Sequence, residues 1–331
     1  MAQQILQIRD LKKYFIIPNP FLFRTVLRKV EHKTLKAVDG VSLDIFSREA
    51  MGLVGESGCG KTTIGRLILK AIKPTAGTIR FGDKPVETLE GKELMDFRKQ
   101  VQVVFQDPFL SLNPRMSVRR IVAEPLLVHQ MVPPGQVQER VIELMELVGL
   151  DPHLTTLYPY ELSTGQRKRI AIARAIATNP TLLVADEAVS GLDVSVKAQI
   201  LNLLSNLQES LGLTYLFISH DLGVVQFVCH TVAIMYLGKV VEFGDTKSIF
   251  EKPLHPYTMA LLGSIPKVRA RGEVPTPIKS PLKGEIPSPI DLPSGCRFHV
   301  RCPKRMAKCT EWEPSFMDVE AGHTVSCFLY C

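Results

Sequence analysis

The chain has 331 residues, 45% of them hydrophobic and 22% charged, the composition of a globular protein large enough for one α/β core and a smaller appendage. No apolar stretch approaches the roughly 20 residues that a membrane helix needs, and Met1 to Asp10 mixes Gln, Arg and Asp into its apolar positions, so neither a membrane span nor a secretory signal is expected and the chain is placed in the cytosol. The net charge of +7 is uneven: Arg9, Lys12, Lys13, Arg24, Arg28, Lys29, Lys33 and Lys36 face only Asp10 and Glu31 in the first 36 residues. That segment reads as a solvated edge, with attraction to anionic lipid or an acidic partner as the alternative. No nucleic-acid signature accompanies it.

In chain order, Leu43 to Asp44 and Ala50 to Val54 read as strands, and Gly60 to Lys73 follows with the helical spacing of Ile64, Leu67, Ile68 and Ala71. Between strand and helix lies Gly55-Glu56-Ser57-Gly58-Cys59-Gly60-Lys61-Thr62, followed by Thr63, a P-loop pattern in the context that supports it. Its glycines let successive backbone N–H groups curl around an anion, and the helix N-terminus adds positive dipole. Lys61 reaches the β- and γ-phosphates, the Thr62 hydroxyl ligates Mg²⁺, and Cys59 contributes chiefly its N–H.

From Pro108 to Pro159 the pattern turns helical, with Val118 to Val128 and Gln138 to Gly149 separated by Pro133-Pro134-Gly135; a helical subdomain inserted at about 109–168 is expected. A helix from Ile170 to Ala177 then leads into the apolar strand Leu182 to Ala185, which ends in Asp186 and Glu187. An acid at that strand end holds Mg²⁺ through water, and Glu187, one residue on, is placed to polarise an attacking water as general base. Helix Ser195 to Leu211, strand Tyr215 to Ile218 and a hairpin through Val232 to Met235 and Lys239 to Phe243 complete the alternation, which implies a mostly parallel sheet. Leu201, Leu204, Leu207 and Leu211 read as a core or interface stripe.

After Glu251 the composition shifts. Pro253, Pro256, Pro266, Pro275, Pro277, Pro281, Pro287, Pro289 and Pro293 predict a stiff linker, so the chain divides into a nucleotide-binding domain at 1–250 and a C-terminal region at 251–331. Five of the seven cysteines lie in that region, and Cys296, Cys302, Cys309 and Cys327 supply four thiolates, enough for Zn²⁺ or a [4Fe-4S] cluster, with free thiols as the third reading. Arg297, Arg301, Lys304 and Arg305 would offset the charge of such a centre. Cys331 reads as a bystander, and His299 and His323 as surface or packing residues, with replacement of one cysteine as ligand the alternative.

Leu162-Ser163-Thr164-Gly165-Gln166, just before a helix and ahead of the Asp-Glu pair, resembles the signature sequence of the ATP-binding cassette (ABC) ATPases. The resemblance implies a P-loop NTPase core of the RecA-like type, with antiparallel β elements and the inserted helical subdomain. It implies that Gln106, in Val104-Phe105-Gln106-Asp107, touches the metal and couples to a membrane partner, that Ser190 to Asp193 cross a dimer, and that His220 is the γ-phosphate switch. Phe15 falls where an aromatic stacks on adenine, with Tyr14 as the competing choice. It also implies a head-to-tail nucleotide sandwich, in which Ser163, Thr164, Gly165 and Gln166 of one subunit close over the ATP of another. Two positions depart from the family pattern: Thr164 stands where glycine is usual and Ala188 where proline is usual, which puts the rate of hydrolysis in question.

The motifs Phe105-Gln106-Asp107-Pro108, Ser111-Leu112-Asn113-Pro114-Arg115 and His255-Pro256-Tyr257-Thr258 are similar to those of the oligopeptide/dipeptide importer ATPases. That likeness implies ATP and Mg²⁺ as ligands, two permease subunits and a second ATPase as partners, an extracytoplasmic binding protein acting indirectly, and a peripheral position on the cytoplasmic face of the cell membrane. The four-cysteine spacing is similar to the cluster-binding tail of some members. Alternatives kept at this point are an importer of nickel, glutathione or oligosaccharide, and a non-transport ABC ATPase acting on ribosomes or chromosomes. The 125 positions between Lys61 and Asp186 leave no room for the long coiled coils of chromosome-type ATPases.

Overall fold

The computed structural model describes residues 3–17, 33–265 and 284–331. Arg24, Arg28 and Lys29 of the basic segment and Pro266, Pro275, Pro277 and Pro281 of the expected linker lie outside the described residues. The strands are β1 (Gln4–Ile17), β2 (Lys33–Phe46), β3 (Ala50–Val54), β4 (Ala76–Phe81), β5 (Lys84–Pro85), β6 (Val101–Val104), β7 (Leu182–Asp186), β8 (Thr214–Ser219), β9 (Thr231–Tyr236), β10 (Lys239–Asp245), β11 (Met317–Glu320) and β12 (His323–Val325). The helices are α1 (Lys61–Ile68), α2 (Gly91–Gln100), α3 (Pro108–Ser111), α4 (Val118–Val128), α5 (Val137–Leu147), α6 (Thr164–Ile176), α7 (Val194–Leu211), α8 (Leu222–Val228), α9 (Thr246–Glu251), α10 (Pro256–Gly263) and α11 (Lys308–Glu311).

The larger sheet runs β11-β12-β10-β9-β3-β8-β7-β6. Its stretch β9-β3-β8-β7-β6 is parallel throughout, as the strand–helix alternation predicts. Every residue of β3 and of β8 is buried, so these strands read as continuous apolar runs, the mark of strands covered on both faces. On one face, Ile64 and Leu67 of α1 pack with Met51, Leu53, Leu216 and Ile218 and with Ile8 and Val41 of a smaller antiparallel sheet ordered β2-β1-β4-β5. On the other face, the apolar stripes of α4, α5 and α6 join those of α7 and α8 in one core. The expected inserted helical layer is therefore present between β6 and β7.

The region after residue 250 is built into this body. β12 pairs antiparallel with β10, Glu242 opposite Val325, and β11 pairs with β12, so the chain end extends the main sheet. The Phe298 ring stands edge-on to Tyr236 at 5.2 Å, and Tyr257 of α10 lies 4.7 Å from Tyr236. The fully buried Glu242 carboxylate accepts the N–H groups of Leu254 (2.7 Å) and His255 (2.9 Å) and faces Nε2 of His323 at 2.8 Å. His323 is thus a packing residue, as expected. Pro256, read from sequence as linker, occupies the first turn of α10, where its missing N–H costs nothing, and Nδ1 of His255 caps that helix by accepting the Tyr257 N–H.

Candidate functional site

The loop between β3 and α1 follows a path that only glycine permits at two points. A Cβ on Gly55 would sit 2.2 Å from the Met235 carbonyl oxygen, and one on Gly60, at φ +111°, 2.1 Å from that of Ala37. With those approaches allowed, Gly60 leads directly into the N-terminus of α1, and Ser57, Gly58 and Gly60 to Thr63 line an open pocket. Lys61 is almost fully buried, and its ammonium donates to the carbonyls of Gly55 (2.7 Å) and Glu56 (3.0 Å).

The pocket has a volume of about 370 Å³. It brings together Phe15, Ser57, Gly58, Gly60, Lys61, Thr62, Thr63, Gln106 and Glu187, residues that the sequence spreads over 173 positions, and adds Leu35, Ala37 and Pro289. Between the two aromatic candidates at its mouth, Phe15 lines the pocket. Tyr14 is engaged elsewhere: its hydroxyl bonds Asp39, and burial followed by that bond pushes its pKa up to about 12. Cys59 is buried behind the loop, its thiol pushed up by desolvation, and takes no place in the lining.

Thr62 Oγ1 lies 3.1 Å from Asp186 Oδ1 at the end of β7. Desolvation raises the Asp186 pKa, a cost that a divalent cation held between these oxygens would offset, so the pair and the neighbouring Gln106 fit the chemistry of a hard, oxygen-ligated ion. Glu187, next in sequence, has φ +47°, and its carboxylate is met by Nδ1 of His220 at 3.2 Å. A second cleft beside the first is lined by Glu187, Ala188, Ser190, Lys197, His220 and Asp221. Asp193 caps α7, accepting the Val196 N–H at 2.9 Å and the Ser195 hydroxyl at 2.7 Å.

Ser163 and Gln166 form a capping box at the start of α6: the Ser163 N–H donates to Gln166 Oε1 at 2.9 Å and the Gln166 N–H to Ser163 Oγ at 3.3 Å. Thr164 Oγ1 accepts from Arg167 at 3.3 Å, and a Cβ on Gly165 would press on Val196 at 3.0 Å. None of these four residues lines the pocket that contains Lys61.

Lys168 is a site residue that sequence reasoning missed. Fully buried, it donates to the carbonyls of Phe105 (2.9 Å) and Gln106 (2.8 Å), and so fixes the loop carrying Gln106 to the helix that begins at the signature segment. Its spacing from Ala171, Ile172 and Ala175 on the buried face of α6 was the available signal, masked by Arg167 and Arg169 on either side.

In the tail, Cys296 lies within electrostatic reach of Cys302, Cys309 and Cys327, and burial first, then these neighbours, pushes its thiol up to about 11. Backbone N–H groups of Phe298, Lys304 and Leu329 face the thiols of Cys296, Cys302 and Cys327. Even so, no group of three or more His, Cys, Asp or Glu side chains among the described residues is arranged to hold a metal ion, so the expected cluster or zinc site is not found as a formed site. Nor do the nearest arginines serve to offset thiolate charge as expected. Arg297 is paired with Asp39, and Arg301 with Glu56.

A glycine-formed phosphate loop, an adjoining hydroxyl–carboxylate pair and a carboxylate at the strand end define a P-loop nucleoside triphosphatase cassette. Residues 38–190 match the family described as ABC transporter, and residues 241–309 the oligopeptide/dipeptide transporter C-terminal region. Over 329 residues the chain is 48% identical to the oligopeptide transport ATP-binding protein AppF of Bacillus subtilis (strain 168), covering 99% of this chain and 98% of that one; the putative oligopeptide transport ATP-binding protein YkfD of the same organism is 46% identical over 90% and 91%. Among solved structures, the dimeric ATP-binding cassette MJ0796 bound to ADP and Pi superposes with a TM-score of 0.63 at 26% identity, over 73% of this chain and 99% of that one. CbiO1 from Clostridium perfringens, part of an ABC transporter complex, also gives 0.63, at 30% identity over 76% and 92%. The chain belongs to the ABC transporter ATP-binding proteins, and it is an ATPase of that family. No helix among the described residues is long and apolar enough to cross a membrane.

Burial lowers the Lys168 pKa from the ordinary 10.5 to about 8. Between those values the unfolded chain binds the extra proton, so this residue makes stability rise with pH through that window. Urea unfolding of the unmodified chain and of Lys168→Met should therefore show the difference, unmodified minus variant, increasing from about pH 8 to about pH 10; a pH-independent difference contradicts the assignment.

Proposed function

We propose that this chain is the ATP-hydrolysing subunit of an importer for di- and oligopeptides, acting from the cytoplasmic face of the membrane as one of two cassettes beneath two permease subunits, with an extracytoplasmic binding protein delivering the solute. The observation that carries the catalytic reading is the meeting of Lys61, Thr62 and Glu187 in one pocket, with Asp186 bonded to Thr62 beside it. The peptide reading is supported by the C-terminal family match and by relatives named for oligopeptide transport. No finding favours nickel, glutathione or oligosaccharide as the solute, or a non-transport role. In this reading residues 1–250 form the cassette, with its helical subdomain at about 109–168, and residues 251–331 its C-terminal region.

The Phe15 ring stacks on adenine, the amides of Ser57, Gly58 and Gly60 to Thr63 bind phosphate oxygens, and Lys61 meets the β- and γ-phosphates from the pocket floor. Thr62, Asp186 and Gln106 would hold Mg²⁺, which would supply neutralisation of charge on the phosphate groups. Glu187 accepts a proton from the water that attacks the γ-phosphate, and His220 orients that carboxylate and contacts the γ-phosphate in turn. Because Ser163 to Gln166 lie outside the chain's own pocket, they act on the ATP of the second cassette, with Ser190 and Asp193 at the crossing between the two. ATP favours the closed pair and hydrolysis releases it.

Glu187→Gln should retain ATP binding while losing hydrolysis by about 100-fold or more, and Lys61→Ala should weaken binding itself, as read by nucleotide titration and phosphate release. Normal turnover in the Glu187 variant contradicts the assignment of the base.

A second proposal concerns the tail: Cys296, Cys302, Cys309 and Cys327 take a [4Fe-4S] cluster or Zn²⁺ in a structural role. It is supported by the electrostatic proximity of Cys296 to the other three thiols and by the amides directed at three of them, while the thiols as they stand are not arranged as a formed site and would have to draw together around the metal. Iron, sulfide and zinc analysis after anaerobic purification should find one centre per chain, and a folded, metal-free tail overturns the proposal.

A further inference from the structure

A carboxylate is an odd component of a loop that binds an anion, yet Glu56 is the second residue of the phosphate loop. All of its polar groups are taken up. Its carboxylate receives both arms of the Arg301 guanidinium, at 2.7 and 3.0 Å; its N–H donates to the Tyr257 hydroxyl at 2.9 Å; its carbonyl accepts from Lys61 at 3.0 Å. Two of these three partners come from beyond residue 250. Arg301 sits in the cysteine-bearing tail, and Tyr257 in the His255-Pro256-Tyr257-Thr258 motif of α10, so a segment far along the chain reaches back to the residue beside the phosphate-binding glycines.

The pairing is built to hold. The Arg301 side chain is only 6% exposed, its guanidinium lies over the Tyr236 ring at 5.9 Å, and Tyr236 is itself wedged between Tyr257 and Phe298. A forked, charge-assisted pair so shielded fixes direction as well as distance. One turn earlier, Arg297 binds the carbonyl of Leu237 and, with Tyr14, the carboxylate of Asp39, while the Gly238 N–H donates to the Cys59 carbonyl at 2.8 Å. The tail therefore braces the phosphate loop both directly and through the β9–β10 turn.

We propose that Arg301 is a positioning residue of the ATP site: together with Tyr257 it holds Glu56, neutralises its charge, and so sets the curvature of the loop that binds phosphate. This rests on the ATP-site reading above. The C-terminal region is then a working part of the nucleotide site, acting on ATP affinity without touching ATP. Because Arg297 and Arg301 adjoin Cys296 and Cys302 in sequence, the packing of those thiols and the placement of the two guanidinium groups are shared.

The test measures ATP affinity and steady-state hydrolysis on the full chain. Arg301→Ala should raise the ATP Kd and KM by about tenfold, the order expected for loss of a charge-assisted pair, with a much smaller change in kcat. Arg301→Ala combined with Glu56→Gln should bind no more weakly than the weaker of the two single variants, because both changes break the same contact. Arg301→Lys, which keeps the charge but loses the fork, should fall between. Additive losses, or a folded Arg301→Ala chain with unchanged Kd, overturn the inference; should the alanine variant not fold, an unchanged Kd in Arg301→Lys overturns it. An unmodified chain that binds no ATP, or a Lys61→Ala chain that binds it equally well, overturns instead the ATP-site reading beneath it.

Discussion

The architecture depends on the position of β3. Five buried residues, hydrogen-bonded to β8 on one side and β9 on the other, leave the chain at a single point and in a single direction. The loop that follows has to pass within contact of the Met235 and Ala37 carbonyls, which only glycine at 55 and 60 allows. Once that path is fixed, the first turn of α1 lines the pocket, Lys61 is held by the Gly55 carbonyl, and Thr62 comes to the end of β7, where Asp186 stands. The parallel order of β3, β8 and β7 is what brings Glu187 and His220 to the same edge. A site assembled from distant residues is thus a consequence of strand order and of two missing side chains.

Around that edge, the buried charges are each given a specific partner, which is what their desolvation demands. Lys61 and Lys168 spend their ammonium groups on backbone carbonyls of loops that act in the site, Glu242 gathers two amides and an imidazole, and Arg301 answers the carboxylate of the phosphate loop. Asp186 differs, because its burial is offset only in part by Thr62, leaving a carboxylate suited to a cation. Since an unpaired charge in the interior costs more than the pair contributes, these contacts specify where loops lie more than they add stability.

The elements legible in the sequence are those whose signal is local. The phosphate loop announces itself by glycine spacing between a strand and a helix, and Asp186 and Glu187 by an apolar run that ends in acid. The capping box at Ser163 and Gln166 is equally local and marks the true start of α6, six residues before the predicted Ile170. By contrast β1 was hidden, because its alternation is interrupted by irregular register between Ile8 and Leu11, with Asp10 at φ +43°. β11 and β12 are short, and the pairing of β12 with β10 joins residues more than 80 positions apart. Tyr257 carries no sign in sequence that its hydroxyl serves the phosphate loop, and Arg301, read as a counter-charge for thiolates, instead pairs with the half-buried carboxylate of Glu56, 245 positions away.

The central claim is that this cassette works paired with another beneath a membrane channel. Its most direct test is purification of the tagged chain from gently solubilised native membranes with trapped ATP, identifying every companion by mass spectrometry. Two permease subunits and a second ABC ATPase subunit, or a second copy of this chain, are the expected companions. Ribosomal or DNA-associated proteins in the absence of any permease would contradict the account.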